Sequence, residues 1–407
     1  MQRTLKFLLV VPLFGLTTAA LVHPQTPTLQ ELFGFNCTST SCPDGKEPDA
    51  LILASDGNLY GVAEYSNTAT GVAGGGTIFK MTPAGQIAVL YTFPENQSTG
   101  LFPNGYSPVA IAEGSDGMLY GAASVGGSTS ASAGTLWRIS KTGTGFQVLV
   151  RYCTTCTTGG FPDSIIAGTD GNLYGTTGYG GKFPSSGICE SLGCGVVFKL
   201  TTSGVYTVLH AFNGTTETSE PVGVIQATDG NLYGSTAGNL TEGSIFKVTP
   251  SGQFSTVYLF GSGTYAPAGI TQASNGLLYG FSHVVSGPTI EFFNITTSGS
   301  FQNLAQITQP LYKQFGVGPV IQASDGNFWT ATAEGGTGNW GRVLALSSSG
   351  TIVQSLSFNS TNGSFPTGQL VQIPNGTIYG TSIKGGKTSS GAAASGVIYT
   401  VTGLPAR

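Results

Sequence analysis

Charge is scarce in this chain. Its 407 residues include 15 Lys and Arg, 19 Asp and Glu and 3 His, for a formal net charge of −4. So few cations cannot neutralise a run of phosphates, which argues against a nucleic-acid partner. With His23 near the start, His210 and His283 alone remain for imidazole chemistry. Neither GxSxG nor HExxH occurs, and TSIKGGKT places Thr381 where a phosphate loop needs its first Gly. No calcium-loop spacing of the D-x-D-x-D-G kind is present, and Cys153, Cys156, Cys189 and Cys194, which could hold zinc, are read as disulfides in an oxidising compartment, so no cofactor and no metal are expected. Helical periodicity is missing throughout, and no long hydrophobic run follows the first residues.

What is present begins with MQRTLKFLLVVPLFGLTTAALV. Arg3 and Lys6 precede an apolar run that ends in small residues at Ala19 and Ala20. This is the pattern of a signal peptide, expected to span residues 1–20 and to be removed after Ala20. The mature chain, residues 21–407, is expected to be one soluble domain, secreted or periplasmic and monomeric, with no membrane span. No Cys closes the signal segment and VIYTVTGLPAR is no sorting tail, so no anchor is expected.

Glycine is abundant, at 63 residues, and it is periodic. DGNLYG from Asp56 returns as DGMLYG from Asp116, DGNLYG from Asp170 and Asp229, NGLLYG from Asn275, DGNFWT from Asp325 and NGTIYG from Asn375. Each copy has an upstream proline (Pro48, Pro108, Pro162, Pro221, Pro267, Pro319, Pro366), and proline suits the first residue of a strand. Downstream come GTIFKMT-like and then VLYTF-like runs, giving four strands per unit, with Asp-Gly or Asn-Gly supplying positive φ for a tight turn. Units of this size match propeller blades rather than helical repeats or β-sandwiches. The sequence therefore predicts an all-β, seven-bladed β-propeller of four-stranded antiparallel blades. Its seventh unit lacks a fourth strand, and LQELFGF near the mature N-terminus resembles one. Residues 29–35 are expected to supply the outer strand of the last blade and to close the ring.

The LYGTT of Leu173–Thr177, the GTIFK-like runs and the TVLHAF of Thr207–Phe212 resemble the GloVer repeats of the choice-of-anchor tandem repeat proteins. The resemblance covers nearly all of the mature chain. It implies an exported bacterial protein, and it brings no established activity with it.

Five of the eight Asp residues sit in the repeated turns and are read as turn residues. In blades one to four these Asp residues accompany a base in the third strand (Asp56 with Lys80, Asp116 with Arg138, Asp170 with Lys199, Asp229 with Lys247), and most are expected to form ion pairs. The six Cys residues fall into close pairs, so disulfides Cys37–Cys42, Cys153–Cys156 and Cys189–Cys194 are expected. The loops and links at the cysteine-bearing end vary greatly between units, whereas the turns at the other end repeat closely. That variable end is taken as a binding face with Tyr65, Tyr106, Phe161, Tyr179, Lys182, Phe183, Tyr312, Lys313 and Trp340. The primary expectation is a non-enzymatic extracellular binding or scaffold propeller, its partner a glycan or a protein. The alternative is a hydrolase or lyase acting on carbohydrate or peptide through His283, Glu334 and Glu64.

Overall fold

In the computed structural model, the residues described are 26–37, 42–67, 73–127, 129, 131–184, 189, 191–238, 242–265, 269–284, 287–308, 317–366 and 368–407. The expected signal peptide, and with it Arg3 and Lys6, lies outside them, as do Tyr312 and Lys313. No helix among the described residues is long and apolar enough to cross a membrane.

Seven antiparallel sheets follow one another along the chain and form a seven-bladed β-propeller. Blade three shows the plan. Gly160–Ala167, Leu173–Tyr179, Val196–Leu200 and Tyr206–Ala211 pair in that order. The first strand lines the axis, and the fourth is outermost. In the middle strands Leu173–Thr177 and Val196–Phe198 are buried on both faces, because blades pack on either side of them. Seven apolar clusters sit between neighbouring blades; one joins Tyr60, Val62 and Ile78 to Leu119 and Trp137, and another joins Leu51, Phe79 and Met81 to Tyr379 and Ile398. The core is thus a ring of interfaces rather than one centre.

The expected clasp forms. Thr28–Gly34 runs antiparallel to Val397–Thr402, with Leu29 opposite Val401 and Gly34 opposite Val397. Phe35 is completely buried against the junction of blades seven and one.

Three details differ from expectation. In the repeated turn only the glycine has positive φ: Gly57 sits at 77°, and its N–H donates to the Ala54 carbonyl at 2.9 Å while Asp56 stays right-handed. This is a type I turn closed by a left-handed glycine rather than a two-residue mirror turn. In blade six the residue opposite Thr332 is Val317, where blades three and four place Pro162 and Pro221 opposite Thr177 and Thr236; Pro319 therefore sits two residues further in than Pro162 and Pro221. Of the four expected ion pairs, Lys80–Asp56 at 3.2 Å is the one formed among the described residues. The turn carboxylates instead accept hydrogen bonds from the tyrosine of LYG: Tyr60 to Asp56 at 2.9 Å, Tyr120 to Asp116 at 2.8 Å, Tyr174 to Asp170 at 2.7 Å and Tyr233 to Asp229 at 2.8 Å. A short phenol four residues on reaches the turn more directly than a lysine from the next strand. The guanidinium of Arg138 goes to the Thr202 carbonyl at 3.0 Å.

The LYG glycine has a steric reason. A Cβ on Gly61, Gly121 or Gly175 would lie 2.4, 2.1 or 2.5 Å from the ring of Phe79, Trp137 or Phe198, each directly opposite on the third strand. Blade six places Leu344 there, and Thr330 replaces the glycine.

Candidate functional site

Among the described residues, the cysteine-bearing end of the propeller carries a concavity over blade three and another on the axis. The first is an open pocket of about 580 Å³ lined by Thr157, Gly181, Lys182, Phe183, Pro184, Asn213 and Thr215. Its walls come from the link before blade three, that blade's second-to-third loop and the link after it. Both neighbouring disulfides, Cys153–Cys156 and Cys189–Cys194, are formed, as is Cys37–Cys42. They hold the pocket's floor directly. The Gly181 N–H donates to the Cys156 carbonyl at 3.1 Å, and the Cys194 N–H donates to the Lys182 carbonyl at 3.2 Å. Gly214 lies against the second bridge, where a Cβ would come within 2.5 Å of the Cys189 sulfur. The Asn213 side chain is committed to its own turn, accepting from the N–H groups of Thr215 and Thr216 at 3.0 Å. Lys182 is exposed with no partner among the described residues, and Phe183 is half-buried beside it.

The remaining face residues fall into small groups. Tyr65 is exposed, with the Lys46 ammonium 5.5 Å from its ring centre. Burial, with the carboxylates of Glu64 and Glu47, pushes the Tyr65 phenol pKa up. Tyr106 packs on Phe102 at 5.0 Å, and Phe161 meets Tyr179 edge-on at 5.6 Å. Trp340 is exposed at the end of a short 3-10 turn, Thr337–Asn339. These residues share one end of the molecule, but the structure groups them by blade.

His283, Glu334 and Glu64 belong to blades five, six and one. His283 and Glu334 are buried, and Glu64 accepts a hydrogen bond from the Ser107 hydroxyl at 3.1 Å. None of the three lines the pocket over blade three or the axial channel.

The axial channel has a volume of about 270 Å³ and takes lining residues from the first strand of every blade. It contains the residues that the sequence reading missed, Asp49 and Asp163. They occupy the same level in blades one and three, each directly after a proline paired across to the second strand, Pro48 with Ala63 and Pro162 with Thr177. The signal was available: EPDA and FPDS are the two places where the repeat puts Asp after its proline. Both side chains touch channel space, but protein encloses that space, so burial pushes each carboxyl up to about 7, with Glu64 adding to the effect at Asp49. Asp163 accepts a hydrogen bond from the Thr176 hydroxyl. The Asp49 carboxylate accepts none among the described residues.

The residues before the prolines frame this mouth. Glu47, Ser107, Phe161, Glu220 and Phe365 all have φ between 53° and 58°, a region that residues with side chains seldom occupy. An inter-blade hydrogen bond compensates at four of them: Glu47 to Ser395, Ser107 to Gly75, Glu220 to Cys194 and Phe365 to Trp340, at 2.9 to 3.1 Å. The following proline then packs on a glycine of the preceding blade, as Pro48 does on Gly396.

Among solved structures, the chain is similar to the WD40 β-propeller domain of Doa1, with a TM-score of 0.56, 11% identity and coverage of 93% of this chain and 97% of that one. It is also similar to the periplasmic gluconolactonase of Pseudomonas aeruginosa, with a TM-score of 0.53, 14% identity and coverage of 82% and 96%. At such identities the likeness is one of fold alone. No curated protein matches the sequence. The family described as the Gloeobacter/Verrucomicrobia repeat matches residues 47–289, more than half of the chain, and the protein belongs to that family.

Proposed function

We propose that this is an exported binding propeller that holds an acidic glycan in the pocket over blade three. The carrying observation is a preorganised concavity with a cation that has no partner among the described residues: Lys182 and Phe183 project from backbone that hydrogen-bonds to both adjacent disulfides. A pocket of about 580 Å³ is of the size that takes a small ligand or one or two sugar rings. The ammonium supplies a point charge for a uronate carboxylate, and the half-buried ring supplies a flat apolar surface for a sugar face. Fixing the loop beforehand lowers the ordering cost of binding. The gluconolactonase likeness adds no substrate at this identity. The hydrolase or lyase alternative would need His283, Glu334 and Glu64 in one cleft, and the pocket and the channel are lined by other residues.

The test is calorimetric titration of the folded protein with oligogalacturonate, with a neutral oligosaccharide as control. Lys182→Ala and Phe183→Ala are each expected to weaken binding about tenfold, or about 1.4 kcal/mol. Equal binding of the neutral sugar, or full affinity in both variants, overturns the proposal.

A further inference from the structure

We propose that the axial channel is a second binding site, separate from the pocket over blade three, and that it takes a small organic cation, a primary ammonium group on a short alkyl chain. Three observations converge. Asp49 is half-buried, its side chain lines the channel, and its carboxylate accepts no hydrogen bond among the described residues. Carboxylates withdrawn from bulk water are normally paired, so one facing a cavity with no partner among the described residues points to a partner that comes from outside. Asp163 stands at the same level two blades away, and no Lys, Arg or His is among the residues lining the channel. Among the described lining residues the charge is of one sign and uncompensated.

The walls decide which cation. Among the carboxylates and backbone polar groups of the lining, Val109, Ile111, Ile165, Val224 and Ile270 supply apolar side chains that methylene groups can contact. Among the described residues, no three His, Cys, Asp or Glu side chains are grouped closely enough to hold a metal ion. A divalent metal would therefore find no more than two carboxylates among the described lining residues and would have to keep most of its water shell. An alkyl ammonium needs only an acceptor for its head and dry contact for its stem. At about 30 Å³ per water-sized group, the volume admits a ligand of about nine non-hydrogen atoms.

The groups that bear on these carboxylates are Glu64 beside Asp49, Glu47 near Glu64, and Tyr152 near Asp163; none carries positive charge. Proton and ammonium compete for the same oxygens, so binding strengthens as pH rises.

The experiment uses 1,5-diaminopentane as probe, with 1,5-pentanediol as neutral isostere and calcium chloride at matched ionic strength. Thermal shift and calorimetry are run on the full mature protein at pH 8 and pH 5. The diamine is expected to raise Tm by several degrees at pH 8 and to bind at least tenfold more weakly at pH 5, with no comparable effect of diol or calcium. Asp49→Asn and Asp163→Asn are each expected to weaken binding about tenfold, whereas Lys182→Ala leaves it unchanged. The pH comparison on the unmodified protein decides the matter even if a variant misfolds. Absent diamine binding at pH 8, equal binding at pH 5, or an equal response to diol or calcium overturns the assignment.

Discussion

The two ends of the propeller solve the same problem, joining seven blades, in different ways. At the repeated-turn end the solution is nearly identical from blade to blade. The last residue of a first strand reaches back to the turn of the preceding blade: the Gln226, Gln272, Gln322 and Gln372 side-chain carbonyls accept from the N–H groups of Thr169, Thr228, Ser274 and Ser324 at 2.7 to 2.9 Å. Glu113 does the same for Ser55. The relay lapses twice. Ala167 has no side chain to offer Ser115, and Leu53 faces a blade whose turn carries Pro374, which has no N–H to give. At the cysteine-bearing end the joints are backbone to backbone and strained, the links differ in length, and disulfides replace the missing repetition. Uniform side-chain joints leave one end closed and regular. Backbone joints leave side chains at the other end free to vary, and both concavities are there.

The contrast can be tested by disturbing each end. The largest effect is expected from neither end alone but from the closure that both depend on. Deleting residues 21–35 removes the strand paired with Val397–Thr402 and should abolish cooperative thermal unfolding, read by circular dichroism. Phe35→Ala alone should cost about 3–5 kcal/mol in denaturant unfolding. Next, Gly175→Ala drives a methyl into the Ser164 carbonyl and the Phe198 ring and should cost about 1–3 kcal/mol. Adding Phe198→Leu to that variant should recover part of the loss, and no recovery would sink the ring's share of the steric account.

The channel gives a pH signature. Asp49 and Asp163 titrate near 7 when folded, against an ordinary carboxyl value near 4 when unfolded. Between those values the folded state binds more protons than the unfolded one, so their contribution to stability is full at low pH and is lost as pH rises towards 7. Asp49→Asn should flatten the fall in Tm between pH 5 and pH 8; an unchanged slope would show that this carboxyl does not titrate there.

Smaller effects are expected at the turn relay. Gln272→Ala leaves the Thr228 N–H without its acceptor and should cost about 1 kcal/mol, while Ala167→Gln, which completes the relay to Ser115, should add about 0.5–1 kcal/mol. Trp340→Ala on the variable end should change stability by under about 0.5 kcal/mol, since the side chain is exposed.

How much of this was legible follows from how each feature is encoded. The blades, their number and the clasp were readable because a strand is a local pattern and the repeat presents it seven times. The missing fourth strand was visible as a gap in that pattern. The disulfides were readable because near neighbours in sequence are near in space. The ion pairs expected between turn Asp and third-strand bases were not borne out at three of four sites, because co-occurrence along a chain does not give reach; the tyrosine four residues away was closer. The aromatics of the variable end were placed on one face, but which of them share a pocket depended on loop paths.

By itself the sequence determined the architecture, since period-two strands, turn glycines and their recurrence are written in consecutive residues. Tertiary structure alone decided the channel. Asp49 and Asp163 are 114 positions apart and each looks like an ordinary strand residue. Only closing the ring brings the first strands of all seven blades around one axis, surrounds the two carboxylates with no countercharge among the described lining residues, and so raises their affinity for a proton.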